Sequence, residues 1–307
     1  MTVATRLLSF AEMEGMTARQ KGVGLAIAGA ALASMKAVLV KLAYAAAAVS
    51  PVALLNLRML LALPFFVWLF LHDRHARPLR RKHWVLLAAL GFAGYYFSSF
   101  ADFTGLQYVS AGLERLILFT YPSLVVVIEW LWRGKPLRRP TLLAMLISYC
   151  GLAIAFSHDL SFGETEAILI GSAWILAAAL SFAIYYVGAA ALISEIGSSR
   201  FAGGVGLFAT VMIVVHGLLT EPLSAYSELP SAVWWSALAM ALACTVLPSW
   251  LNAKAMSLIG ASETAAIGNL GPVLTIAAGW LVLAEPFSLA QVVGMLLVVL
   301  GVRRLSG

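Results

Sequence analysis

Charge is what this chain has least of. Asp, Glu, Lys and Arg make up 11% of its 307 residues, where soluble domains carry about 25%. With 62% hydrophobic residues and a mean hydropathy of +0.94, that shortage excludes an ordinary soluble globular protein. Cysteine is scarce too. Cys150 and Cys244 both lie inside apolar runs, so there is no disulfide framework and no CxxC metal pattern, and both read as packing residues. There is no GxxxxGK[ST] and hence no sign of a P-loop ATPase. There is no HExxH, and His72, His75, His83, His158 and His216 form no clustered ligand set, so no metal and no other cofactor is expected. Selectivity-filter repeats and an Arg-rich voltage sensor are also missing. An intramembrane enzyme would need a GxSxG serine with a histidine, or an acid pair at one depth. Asp102 and Glu114 are the only such pair and read better as charge partners. The polar segment 1–21 lacks the hydrophobic region of a signal peptide.

Hydrophobic runs of about 18 or more residues recur from end to end instead, the mark of a polytopic α-helical membrane protein. A β-barrel would show short alternating segments. Ten spans are predicted, near 22–45, 53–71, 84–104, 111–132, 141–157, 167–187, 200–220, 232–251, 261–283 and 287–303. The net charge of +6 does not point to nucleic acid, because the basic residues sit in short loops between these runs. With the N-terminus inside, the inner segments hold Arg6, Arg19, Lys21, "DRHARPLRRK" (73–82), "RGKPLRR" (133–139), Arg200, Lys254 and Arg303–Arg304. The outer loops hold Asp159, Glu164, Glu166, Glu221, Glu228 and Glu285 and no lysine or arginine. This asymmetry predicts that both termini face the cytoplasm.

The chain repeats itself. Shifted by 150 residues, "AGLERLILFTYPSLVVVIEWLWRGKPL" (111–137) falls without a gap on "ASETAAIGNLGPVLTIAAGWLVLAEPF" (261–287). Ala111/Ala261, Ile117/Ile267, Pro122/Pro272, Leu124/Leu274, Trp130/Trp280 and Pro136/Pro286 match, and further on Met145-Leu146 meets Met295-Leu296 and Gly151 meets Gly301. Each half holds five helices, an odd number, so the second half enters the membrane upside down. The predicted organisation is a cytoplasmic segment 1–21, a first five-helix repeat 22–157, an inverted second repeat 167–303 and a cytoplasmic tail 304–307. Inverted repeats are common in secondary transporters, where two halves exchange conformations around a central site.

Four basic residues remain within or at the outer ends of spans: Lys36, Lys41, Arg58 and Arg115. Lys36 is 15 residues past Lys21, about 22 Å along a helix. It is within snorkelling reach of the interface, yet it shares a stripe with Gly29 and Ala33 that should face protein. Its expected partners are Asp102 and Glu114, at a similar depth. Glu114 also suits the start of its helix. Lys41, Arg58 and Arg115 read as interface anchors. Helical spacing places Tyr95 and Asp102 on one stripe with Ser99 beside it, and Glu114 with Tyr121, Trp174 with Tyr185, and Asn269 with Pro272 on others. Tyr95, Ser99, Tyr121, Trp174, Tyr185 and Asn269 are therefore candidates to contact a substrate, against the plain alternative of packing aromatics. Pro122 and Pro272, each lacking an N–H, are expected as paired helix kinks. Gly203, Gly204 and Gly206 would pack helices either within the chain or between chains, so no oligomeric state follows.

"SPVALLNLRMLLALPF" (50–65), "YVSAGLERLILFTYPSLVVVIEW" (108–130) and "IGASETAAIGNLGPVLTIAAGWLVLAEP" (259–286) resemble the drug/metabolite transporter superfamily in its ten-helix EamA-type branch, over roughly residues 20–304. The family usually closes the last two segments with Gly-Glu. Here they read Gly134-Lys135 and Ala284-Glu285, a partial departure. The resemblance implies an all-α polytopic fold of two inverted five-helix repeats. It also implies a transporter without an ATPase subunit, acting on a small-molecule substrate from within the lipid bilayer. Within the branch the chain is similar to bacterial exporters of amino acids and related metabolites, notably aromatic amino acids. Other metabolites or drugs carried by the same superfamily are the alternative. A passive channel is the alternative of a different class, and it would show neither saturation nor counterflow.

Overall fold

A computed structural model describes residues 17–71, 78–134, 139–162, 164–268, 270–286 and 288–305. Every regular element among them is helical, and together they build ten membrane-crossing helices in two inverted five-helix repeats. Seven spans are long and apolar enough to cross a membrane, and shorter apolar helices at 141–157, 271–282 and 289–301 complete the set.

Span 1 is α1 (Ala18–Ser34) followed by α2 (Lys36–Ala46), and span 2 is α3 (Pro51–Leu71). Span 3 runs from α4 (Arg81–Gly91) through a π-helical stretch, Phe92–Phe97, into α5 (Ser98–Gly105). Span 4 is α6 (Ala111–Leu118) and α7 (Tyr121–Arg133), and span 5 is α8 (Arg139–Phe162). Spans 6 and 7 are α9 (Thr165–Ile196) and α10 (Ser198–Thr220), and a single turn, α11 (Ser224–Ser227), follows. Span 8 is α12 (Ser231–Ala239), a second π-helical stretch Met240–Val246, and α13 (Leu247–Gly268). Span 9 starts inside α13 and ends as α14 (Gly271–Val282), and span 10 is α15 (Leu289–Leu305). The stretch 252–260, left between spans by the hydropathy, keeps helical backbone. Gly22 packs against Leu258 and Ile259, whereas Ser34 accepts a bond from Thr275, so the chain doubles back beyond Ile259.

Packing follows the repeat. Span 2 lies against span 7 and span 5 against span 10, each against its own counterpart, while span 1 packs on span 8 as span 6 packs on span 3. Lipid tails are as apolar as leucine, so close contact rather than water exclusion must hold such helices together. Small residues supply that contact. A Cβ on Gly151 would sit 2.5 Å from the Gly294 carbonyl oxygen, and one on Gly301 would sit 2.5 Å from that of Ala144. The second contact is the first with the two halves exchanged, and Ser148 and Val298, 150 residues apart, meet between them. Gly203 and Gly206 are spent within the chain against Phe66 and Phe70, and Gly204 against Leu87.

The helix ends repeat as well. Gly134 closes α7 in the left-handed region at φ 64°, and its counterpart Ala284 sits at φ 52°. Glycine adopts that conformation freely and alanine does so at a cost.

Candidate functional site

Three spans break at one level. Pro122 and Pro272 offer no N–H to the carbonyls of Leu118 and Gly268, four residues earlier, and the chain tightens just before each. Thr120 N–H bonds to Ile117 O at 2.9 Å and Leu270 N–H to Ile267 O at 3.0 Å. Both prolines therefore open the second half of an interrupted helix rather than bending a continuous one. Span 1 breaks at Met35, whose N–H bonds to Leu32 O at 3.2 Å. The Ser34 hydroxyl turns back on Ala30 O at 2.6 Å, a local bond that competes with the helix. Side chains of the other broken spans take the carbonyls released there: Thr275 Oγ1 donates to Ser34 O at 2.9 Å, and Arg115 Nη2 to Ala33 O at 3.4 Å. Gly271, Ser34 and Phe119, one from each break, are in contact. A Cβ on Gly271 would meet Ser34 Oγ at 3.6 Å and Phe119 Cε2 at 3.7 Å.

The charges cluster beside this junction. Lys36 is the first residue after the span 1 break, and its Nζ donates to Asp102 Oδ2 at 2.5 Å. The same ammonium lies 3.7 Å from Glu114 Oε1, and Arg115 Nε lies 3.8 Å from Glu114 Oε2. Asp102 and Glu114 are 1% and 0% exposed. Arg58 and Arg115, which read from the sequence as interface anchors, are instead buried, at 6% and 9% exposure. The reason is lateral position: hydropathy reports depth along a helix, not which side a neighbouring helix covers. Arg58 Nε donates to Thr245 Oγ1 at 3.1 Å, and its guanidinium stands 5.5 Å above the Phe103 ring. Thr245 in turn donates to Met240 O, five residues back, at 3.0 Å, so the π-helical stretch of span 8 shapes the Arg58 seat. π-Helical turns are frequent at functional sites, and span 3 carries the equivalent stretch. Burying an unpaired charge costs several kcal/mol, which explains why these groups are drawn into one network.

The aromatic candidates divide. Tyr95 and Tyr185 meet edge to face at 5.8 Å, Tyr185 stacks on Phe182 at 5.7 Å, and Phe182 contacts Tyr121 at 5.2 Å. Tyr95, Tyr121 and Tyr185 thus belong to one cluster, joined by Tyr186 at 5.1 Å from Tyr121. Trp174 sits apart. It packs on Phe100 at 5.8 Å, which packs on His216 at 5.3 Å, and His216 Nδ1 is 3.0 Å from the Tyr96 hydroxyl. Ser99 is half-buried beside Ser98, whose hydroxyl donates to Ala178 O. Asn269 lies outside the described residues. The sequence marked Arg58 only as an interface anchor and did not single out Thr245, Phe182, Tyr186 or the Tyr96–His216 pair as candidates. Arg58 could have been found, since it falls on the stripe Leu54, Arg58, Ala62, Phe66, all buried.

Polar clasps tie the halves at both ends. At the acidic end Glu285 Oε1 accepts from Ala111 N–H, the first residue of α6, at 2.8 Å. Ser50 Oγ donates to Glu221 Oε1 at 2.5 Å and Asn56 Nδ2 to the Tyr226 hydroxyl at 2.9 Å. At the basic end Lys82 Nζ lies 2.7 Å and His83 Nε2 3.0 Å from Glu195 Oε2. These bonds, Lys82's first, hold the Glu195 carboxyl below its ordinary range. Arg80 N–H donates to His83 Nδ1 at 3.1 Å, so His83 carries its proton on Nε2 and donates it to Glu195.

Interrupted helices, an inverted repeat and a charge network buried between spans are features that membrane transporters share. In agreement, the model of the EamA-like transporter family matches twice, over residues 20–157 and 169–306. The chain belongs to the EamA-like transporter family, within the drug/metabolite transporters, and is a transporter rather than an enzyme. It is 33% identical over 268 residues, 84% of each chain, to the uncharacterized transporter YcbK of Bacillus subtilis (strain 168). It is 25% identical over 250 residues to the uncharacterized transporter YetK of the same organism, covering 80% of this chain and 76% of that one. One solved crystal structure superposes with a TM-score of 0.67 at 17% identity, over 93% of this chain and 96% of the other, a likeness of fold.

Proposed function

We propose that the protein is a secondary-active or facilitative exporter of amino acids, notably aromatic ones, and related small metabolites from a bacterial cytoplasm. The two halves, 22–157 and 167–303, alternate access to a site at the junction of the broken spans. The observation that carries this reading is the network Lys36–Asp102–Glu114–Arg115, strung between spans 1, 3 and 4 beside that junction. Intramembrane charges are costly and mark transport pathways. The network joins basic and acidic groups, as a zwitterion does, and the Tyr95–Tyr185–Phe182–Tyr121 cluster offers ring faces to an aromatic side chain. The basic loops support an orientation with both termini in the cytoplasm. The network then lies in the outer half, where Lys36 serves as an electrostatic latch on Asp102 and Glu114. Pro122 and Pro272 mark the joints about which the half-helices move, and Ser99 and Trp174 flank the path.

The test is uptake of labelled amino acids into proteoliposomes holding the purified protein, with and without a pH gradient. Saturable uptake with counterflow, competed by other amino acids, is expected. Absence of uptake for every amino acid, with folded protein shown in the membrane, would refute the amino-acid assignment and leave other metabolites or drugs as the cargo.

A further inference from the structure

The buried cluster carries hydrogen-bonding capacity that the chain itself leaves unused. Arg58 and Asp102 are at least nine-tenths buried and Glu114 is fully so. Yet among the described residues Arg58 Nη1, Asp102 Oδ1, both oxygens of Glu114 and Arg115 Nε make no hydrogen bond of ordinary geometry, although the Asp102 and Glu114 carboxyls lie against each other and Lys36 and Arg115 stand off from Glu114 at 3.7 and 3.8 Å. Such groups cost more when left unsatisfied than a hydrogen bond returns when made. Counted by formal charge, Lys36, Arg58 and Arg115 give +3 and Asp102 and Glu114 give −2, a net +1 inside the membrane. Thr245 takes the Nε donor of Arg58, and Nη1 remains to donate to an oxygen of a carboxylate. Cys244 is half-buried and directly precedes Thr245, the residue that accepts from Arg58.

We infer that Arg58, with Lys36 and Arg115, forms a carboxylate-binding subsite beside Cys244, and that the unused oxygens of Asp102 and Glu114 receive the ammonium of a zwitterionic substrate. The inference rests on the transport reading but not on its choice of amino acids, since any small carboxylate meets the same three cations. It also assigns Arg58 a task that a buried interface anchor would not have. Among the described residues Thr245 and the Phe103 ring hold this guanidinium, and its unspent Nη1 is poised for a ligand.

Cys244 provides the probe. In a Cys150→Ala background it is the sole cysteine, and its reaction with methanethiosulfonates forms a disulfide and releases methanesulfinate. Two reagents of similar size, 2-sulfonatoethyl (anionic) and 2-trimethylammonioethyl (cationic) methanethiosulfonate, are compared in membranes, each rate normalised to a free thiol. The expected result is anionic modification faster by about tenfold, the scale of one net charge at this range in a partly screened site. The preference should vanish in Arg58→Gln and persist in Arg58→Lys. Phenylalanine should protect Cys244 and phenethylamine should not. Equal or faster reaction of the cation, or a preference untouched in a folded Arg58→Gln, overturns the subsite. So does a Cys244 that neither reagent reaches from either side, because a transported anion must pass where the sulfonate does. If Arg58→Gln fails to fold, the ratio in the Cys150→Ala protein decides alone. An anionic preference without phenylalanine protection or uptake would uphold the carboxylate subsite and overturn both the ammonium site and the amino-acid cargo.

Discussion

Replacing Lys36 with methionine removes the cation from the centre of the network while keeping an unbranched side chain one atom shorter. Its Nζ lies 2.5 Å from Asp102 and 3.7 Å from Glu114, with side chains 18%, 1% and 0% exposed. Glu114 retains Arg115 at 3.8 Å, so the loss falls mainly on Asp102, whose second oxygen already lacks a hydrogen bond. Removing one partner of a buried ion pair costs about 3–5 kcal/mol because the other charge is stranded. Lys36→Met should therefore melt well below the wild type. Adding Asp102→Asn takes away the stranded charge and should restore about 2–3 kcal/mol of that loss. The assay is thermal unfolding of purified protein in detergent, read as the monodisperse fraction surviving heating, for both single variants and the double. A Lys36→Met protein as stable as wild type, or a double variant no better than Lys36→Met, would refute the buried pairing. Lys36→Ala with wild-type transport and stability would likewise remove the latch from the mechanism.

Three further outcomes follow from the packing. Gly151→Ala must push α8 and α15 apart, since its new Cβ would meet the Gly294 carbonyl at 2.5 Å; a loss of about 1–3 kcal/mol is expected in the same melting assay, and a neutral variant would contradict the close crossing. Ala284→Gly relieves a left-handed alanine at φ 52° and should stabilise by about 1 kcal/mol, so a lower melting temperature would count against that conformation. Glu195, held below its ordinary value of 4.5 by Lys82 and His83, contributes stability that is fully present above pH 4.5 and is lost as pH falls through its lowered value. A melting curve followed downward from pH 7 should show that loss in the wild type and a smaller one in Glu195→Gln, and identical profiles would remove the clasp.

How much of this was legible beforehand depended on the kind of interaction. The sequence by itself determined the membrane class, the ten spans and the inverted repeat, because bilayer thickness forces long apolar runs and duplication leaves a register that Pro122/Pro272 and Gly151/Gly301 still keep. It also brought Lys36 together with Asp102 and Glu114 as candidates, since charges at one depth in hydrocarbon have few other partners. Only the tertiary structure decided that Lys36 closes on Asp102 and stands off from Glu114, a difference of 1.2 Å between 2.5 and 3.7 Å set by where span 1 breaks. It decided that both prolines begin half-helices, because a proline removes a donor without fixing how the chain absorbs the loss. It separated Trp174 from the tyrosines, and it turned Arg58 and Arg115 inward. Depth along a helix is written in hydropathy, but the neighbour on each side of that helix is chosen by packing between spans far apart in the chain, where contact rather than water exclusion sets the energy.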